Sequence, residues 1–159
     1  MTNFEKVIDF NKSFGIKVFD AVQKDIFDTD PKTVNYRMSL ITEEVNELKE
    51  AVEKKDMKEV IDALSDILYV VYGMGASFGI DLDKSFKIVH ESNMTKLCET
   101  EDEAIKTVEW YKENDKRYDS PDYRKSDDGK YWVVYNVSTK KILKNINYNP
   151  ADFGSMLEN

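Results

Sequence analysis

Cysteine, histidine and long uncharged runs are scarce in this 159-residue chain, and each shortage excludes a class of protein. Cys98 is the sole cysteine, so no disulfide forms within the chain and a reducing cytoplasm is the expected setting. The longest weakly charged stretch, Ile67 to Ile80, is too short to cross a bilayer, so no membrane partner is expected. The N-terminus shows no basic segment leading into an apolar one, and a secretory signal is not expected. Basic residues are also in deficit: Lys and Arg number 23 against 31 Asp and Glu, for a net charge of −8. A surface of that sign repels nucleic-acid phosphates, which argues against a nucleic-acid partner. It repels a small polyphosphate too, unless a divalent cation stands between them.

What is present is material for one soluble domain, with 41% hydrophobic and 34% charged residues and no internal repeat. Thr2 or Asn3 caps a short helix running to about Phe14 and stopped by Gly15. Ile16 to Lys32 is ambiguous, and Pro31 ends whatever forms there. From Thr33 a long helix is predicted, because Val34, Met38, Ile41, Val45, Leu48 and Val52 recur at steps of four and three. It ends near Lys55-Asp56. A second long helix, Met57 to Phe78, is apolar nearly all round and so reads as buried, breaking at Gly79. Asp83 caps a further helix, Lys84 to about Leu97. Thr100 with Glu103 then opens an amphipathic helix bearing Ala104, Val108 and Tyr111 on one side. Asp119 to Asp122, with Pro121, is a break. Asp128-Gly129 is a turn between Tyr123-Arg124-Lys125 and the strand-like run Tyr131 to Val137, and Lys141 to Ile146 suggests another strand. The expected fold is mainly α, a helical bundle carrying a small C-terminal α+β insertion of a helix plus a β-hairpin.

Two acidic clusters lie on the two long helices. Glu43, Glu44 and Glu47 form Glu-Glu-x-x-Glu, and Glu44 and Glu47, three apart, point at one object. They lie beside the apolar stripe rather than opposite it. On the second helix Glu59, Asp62 and Asp66 fall on one line, continued by Tyr69 and Gly73. No basic residue stands between Glu59 and Asp83. A Glu-rich face near Lys49, Lys54 and Lys55 is also what a solvated helix surface looks like. Two aspartates among Leu, Ile and Val are harder to explain that way, since unpaired buried carboxylates are costly. A hard divalent cation such as Mg²⁺, which takes oxygen ligands, resolves the cost. A di-iron cage needs Glu-x-x-His motifs, and His90, the sole histidine, precedes Glu91 instead. Zinc is disfavoured by the same lack of His and Cys ligands.

Glu43-Glu44-Val45-Asn46-Glu47-Leu48, followed by the run Asp62-Ala63-Leu64-Ser65-Asp66-Ile67-Leu68-Tyr69-Val70-Val71-Tyr72-Gly73, resembles the MazG-like all-α nucleoside triphosphate pyrophosphatases. It is similar above all to their phage and bacterial branch, described as phosphoribosyl-ATP pyrophosphohydrolase-like. The likeness extends to Phe10-x-x-x-Phe14-Gly15, to His90-Glu91-Ser92-Asn93-Met94-Thr95-Lys96, and to Lys141-Ile142-Leu143-Lys144 through Asn147-Tyr148-x-Pro150-x-Asp152. On this resemblance 1–159 is a single domain, with 98–140 an inserted helix plus short strands.

The resemblance implies Mg²⁺-dependent hydrolysis, with Mn²⁺ as a substitute, of a nucleoside triphosphate to a monophosphate and pyrophosphate. The setting would be the cytoplasm of a bacterium or of a virus-infected host cell. It implies metal ligands at Glu44, Glu47 and Asp66. The usual Glu-x-x-Asp would put glutamate at 63, where this chain has Ala63. Asp62 therefore stands as the fourth ligand, although Glu59-x-x-Asp62 also meets the spacing. Glu43 or Glu47 takes the proton of the attacking water. Lys96, Lys144 and Arg37 steady the phosphates, Asn93 bonds sugar or base, and Tyr69, Phe14 or Tyr148 offers a stacking surface. Lys96 and Lys144 as plain surface lysines, and the aromatics as core residues, are the alternatives. A partner copy is expected to cover the long apolar helix in a homodimer or homotetramer. Two other readings stand beside the main one: true phosphoribosyl-ATP hydrolysis, and a non-catalytic dimerising helical module whose acids face water or lysines.

Overall fold

In the computed structural model, which describes residues 1–158, α1 (Asn3–Ser13) opens on a capping box. The Thr2 hydroxyl accepts from Glu5 N–H at 3.1 Å, and the Glu5 carboxylate accepts from Thr2 N–H at 2.6 Å. A single turn, α2 (Ile26–Thr29), forms within the ambiguous 16–32 stretch. The long helix α3 (Pro31–Glu53) starts earlier than Thr33, because Pro31 occupies its first turn instead of ending what precedes it. A first-turn N–H has no helical partner, so proline loses nothing there and its fixed φ suits the helix. The Asp30 carboxylate accepts from Thr33 N–H at 3.1 Å to cap the start.

The next helix, α4 (Met57–Phe78), has the predicted bounds. Asp56 caps its start by accepting from Glu59 N–H at 3.2 Å, and Gly79 at φ +72° ends it in the left-handed conformation. The chain separates into two compact units. The first holds Met1–Phe86 and the tail from Phe153. Within it α3 and α4 pack along their length, α1 lies on α4 and α2 on α3. Phe4, Val7, Ile26, Ala51, Ala63, Ala76 and Phe78 are buried there.

One expectation is corrected. The middle of α4 is not buried: Ile61, Leu64 and Leu68 are 61%, 49% and 54% exposed, because α1 and α3 cover only part of its circumference. The apolar stripe of α3 is likewise open at Met38 and Val52. What α3 buries instead is Arg37 and Ala51. By length and composition α4 also meets the requirement for a bilayer span, which the shorter Ile67 to Ile80 stretch did not show.

The second unit is Lys87–Asp152 and contains the stretch 98–140. Leading into it, α5 (Leu82–Met94) begins two residues before Lys84 and ends before Leu97. Its cap is Asp81, whose carboxylate accepts from Lys84 N–H at 3.0 Å. Asp83 accepts instead from the Thr2 hydroxyl at 2.6 Å. In α6 (Glu101–Asn114) Thr100 caps Glu103 N–H as predicted, at 3.1 Å. The Glu103 carboxylate turns to Glu99 N–H and to the Asn145 and Asn147 amides rather than to Thr100.

Three antiparallel strands follow in the order β1 (Pro121–Lys125), β2 (Trp132–Asn136), β3 (Ile142–Leu143). Pro121 is not a break but the first residue of β1, where a missing N–H is tolerated. The hairpin turn carries Gly129 at φ +74°. The third strand is shorter than Lys141 to Ile146, since Asn145 N–H leaves the ladder to donate to the Lys96 carbonyl. Cys98, Ala104, Val108, Tyr111, Val134 and Leu143 form the core of this unit. The expected class holds: mainly α, with a small C-terminal sheet.

Gly79 and Gly15 separate backbone strain from crowding. Both have positive φ, but a Cβ at Gly79 would meet the Ala21 carbonyl oxygen at 1.9 Å, whereas one at Gly15 meets nothing within 4 Å. Gly15→Ala should cost about 1 kcal/mol and Gly79→Ala clearly more than about 2 kcal/mol in urea unfolding. Equal costs would contradict the packing described.

Candidate metal centre

Glu44 and Glu47 stand one turn apart on α3, and Asp66 faces them from the middle of α4. One oxygen from each lies within 4.8 Å of the others. Glu44 and Asp66 are half-buried and Glu47 is exposed. No lysine or arginine forms an ion pair with any of the three among the described residues. Three ionised carboxylates at that spacing repel one another by roughly 3 kcal/mol per pair at an effective dielectric of about 20. The cluster is held together by helix packing, not by attraction between its members.

The protonation behaviour follows. Burial, then a hydrogen bond with Glu47 and the charges of Glu47, Asp66 and Glu43, push the Glu44 carboxyl up to about 7. Burial first, then Asp62 and Glu47, also raises Asp66 above the ordinary carboxylate range. Moreover, Glu44 Oε2 is a buried oxygen without a hydrogen-bond partner. Oxygen-only donors, a surplus of negative charge and one orphaned buried oxygen suit a hard divalent cation. Glu44, Glu47 and Asp66 are the residues that would hold it.

The other sequence-predicted residues sit as follows. Asp62 is exposed, one turn before Asp66 and outside the 4.8 Å group. With Glu47, Glu50, Ala51, Lys54, Glu59 and Ala63 it lines a cavity of about 370 Å³. Ala63 is buried at the wall of that cavity and presents a methyl group where a glutamate was expected. Glu43 is exposed on α3, beside Glu44. Tyr69 lies one turn beyond Asp66, its ring 5.5 Å edge-on from Phe10, which is itself 4.4 Å from Phe14. Arg37 is buried on α3 at 6% exposure. In the second unit the Lys144 and Lys96 ammonium groups lie 4.7 and 6.0 Å from the ring centre of Tyr148. Asn93 is exposed at the end of α5. Sequence reasoning passed over Glu50, which spacing from Glu43 and Glu47 places on the same side, and Ser77, a polar residue in the buried end of α4.

The sequence profile of the phosphoribosyl-ATP pyrophosphohydrolase family matches residues 7–93, a stretch that contains α3, α4 and all the acids described. The chain belongs to this family, within the MazG-like superfamily of pyrophosphohydrolases. It is similar along 99% of its length to the protein named uncharacterized protein L479 of Acanthamoeba polyphaga mimivirus, at 31% identity and covering 96% of that protein. Enzymes of this type generally use a divalent metal, which agrees with the acidic triad.

The raised carboxylates fix the sign of a pH effect in the metal-free protein. A Glu44 pKa near 7 when folded and near 4.5 when unfolded means that the native state holds the extra proton between those values. Stability from this group is therefore present at low pH and lost as pH rises through about 7. The Tm of chelator-treated protein should be higher at about pH 5.5 than at about pH 8, and Glu44→Gln should shrink that difference. A Tm that rises over this interval to the same extent in both proteins would contradict the assignment.

Proposed function

We propose that the chain is a Mg²⁺-dependent nucleoside triphosphate pyrophosphohydrolase, converting (d)NTP and water to (d)NMP and pyrophosphate. The convergence of Glu44, Glu47 and Asp66 across the α3–α4 seam, with a buried Glu44 oxygen awaiting a partner, carries this reading. A bound Mg²⁺, or Mn²⁺ in its place, supplies charge neutralisation for the triphosphate and acidification of a coordinated water. Asp62, one turn before Asp66, adds negative charge beside it and would serve as the fourth ligand on turning toward the triad. Glu43 or Glu47, both solvent-accessible, takes the proton from water. Arg37, in the same unit as the triad, steadies phosphate charge. The exposed Tyr69 edge, backed by Phe10, is a stacking surface for the base.

The chain acts as one catalytic domain bearing 98–140 as an insertion, and it works on the nucleotide pool of a reducing cytoplasm. Burial raises the Cys98 thiol to about 11, so the sole cysteine stays protonated and unreactive. A second copy, rather than lipid or nucleic acid, covers the open α4 face. Ile61, Leu64 and Leu68 on α4, with Met38 and Val52 on α3, are the apolar side chains a homodimer or homotetramer would bury. Hydrolysis of phosphoribosyl-ATP itself is the second reading, favoured by the family profile.

Pyrophosphate release measured across the NTPs, dNTPs and phosphoribosyl-ATP with Mg²⁺ decides between them. Cleavage of at least one nucleoside triphosphate is expected, with Asp66→Asn slower by about 100-fold or more. Turnover of phosphoribosyl-ATP alone selects the second reading. No turnover of any substrate, together with a melt that Mg²⁺ does not shift, leaves a non-catalytic helical module. Light scattering should return two or four times the mass of one chain, and Leu64→Asp with Leu68→Asp should return one.

A further inference from the structure

Arg37 presents an unsolved charge. Its side chain is 6% exposed, and among the described residues it makes no ion pair and no hydrogen bond. Its guanidinium is seated over Gly73 of α4, where a Cβ would lie 2.7 Å from Nη1. The nearest aromatic ring, that of Tyr36, is centred 5.8 Å away. Burial without a counter-charge pulls its pKa below the ordinary arginine value. No acidic side chain among the described residues pairs with it. Removing a cation from water uncompensated is strongly unfavourable, so an anion is the missing partner.

The guanidinium borders a cavity of about 130 Å³ in the first unit. Ser77, 3% exposed and with no hydrogen bond made by its hydroxyl among the described residues, lines the same cavity, as do Lys17, Thr33 and Tyr36. Thr33 belongs to the first turn of α3, whose free N–H groups add positive potential. Asp30, also at the wall, is committed to Thr33 as the helix cap. The Thr33 hydroxyl is spent on Asp30, and the Lys17 ammonium rests over the Phe19 ring, which with Ile16 completes the wall. Arg37 and the Ser77 hydroxyl remain, in a space that admits a phosphoryl group but not a nucleoside.

Its position is informative. Arg37 precedes Glu44 by seven residues on α3, and Gly73 follows Asp66 by seven on α4. The cavity therefore lies two turns, about 10 Å, from the acidic triad along one seam. We propose that the Arg37, Ser77 and Lys17 cavity is a phosphoryl subsite that takes the terminal phosphate of a polyphosphate whose other end lies at the triad. This rests on the pyrophosphohydrolase reading for the identity of the ligand, but not for the existence of the site.

Calorimetric titration of inorganic pyrophosphate into the full chain, with chelator present, tests it. Wild type should bind one pyrophosphate per chain. Arg37→Gln should weaken binding at least about tenfold and Ser77→Ala or Lys17→Gln about threefold, while Lys112→Gln, which removes the same charge elsewhere, changes nothing. Absence of binding to wild type overturns the proposal, as does equal affinity in all variants. Should Arg37→Gln fail to fold by circular dichroism, the exposed Lys17 and the small Ser77 change decide alone. A chain that binds pyrophosphate but hydrolyses no nucleotide keeps the subsite and loses the enzymatic reading. A chain that hydrolyses nucleotides without binding pyrophosphate does the reverse.

Discussion

The repulsion among Glu44, Glu47 and Asp66 is the constraint around which the helical unit is arranged. Two long helices would relieve it by rotating or separating, but the seam does not allow either. Ala51 on α3 and Ala63 on α4 are buried at one end of the contact, and Gly73 gives up its side chain to Arg37 at the other. The acids are thus held facing one another between two fixed points, and the charge they concentrate is available to a cation. Gly79, pressed against the Ala21 carbonyl, fixes the end of α4 and so the axial position of Asp66. Packing imposes the electrostatics, and the electrostatics define what the site accepts.

Charge along the seam is ordered. Negative oxygens converge in the middle, and an isolated guanidinium stands two turns away with a small cavity beside it. A ligand matching both would be negative throughout and would require a metal at only one end. Phosphoric anhydrides have that form, and the family to which the chain belongs hydrolyses them. The second unit is built differently. Around its apolar core runs a polar lattice in which the Glu103 carboxylate collects the Asn145 and Asn147 amides, and the Asn136 side chain binds Asp119, Ser120, Ser138 and Thr139. These bonds fix the loops around a three-stranded sheet too short to order itself by backbone pairing alone.

Sequence alone disclosed the features that local chemistry controls. Thr100 opens α6 and Gly79 ends α4 because a hydroxyl caps and a glycine reverses regardless of what lies elsewhere. Glu44 and Glu47 were legible as neighbours because helical spacing is a local property. Pro31 and Pro121 were misread since each has two roles, stopping one element or starting another, and only the surrounding backbone chooses between them; the cap read at Asp83 is supplied by Asp81. Tertiary facts stayed hidden for the same reason. The apolar content of α4 predicted burial, yet its middle is open in the single chain because burial depends on neighbours, and α1 and α3 cover only part of that helix. Periodicity put Val34, Met38 and Val45 toward the core, whereas α3 turns Arg37 and Ala51 inward. No pattern in one helix reveals that a cation on it will be left without an acid.

Whether α3 and α4 share one ion is the question on which the account turns. Mn²⁺ titration followed by electron paramagnetic resonance answers it directly, since free and bound ions are counted separately. Wild type should bind Mn²⁺, and Glu44→Gln on one helix and Asp66→Asn on the other should each weaken the same site, by about tenfold or more. Binding that survives both substitutions unchanged, or no binding to wild type at all, would show that these carboxylates face water and not a metal.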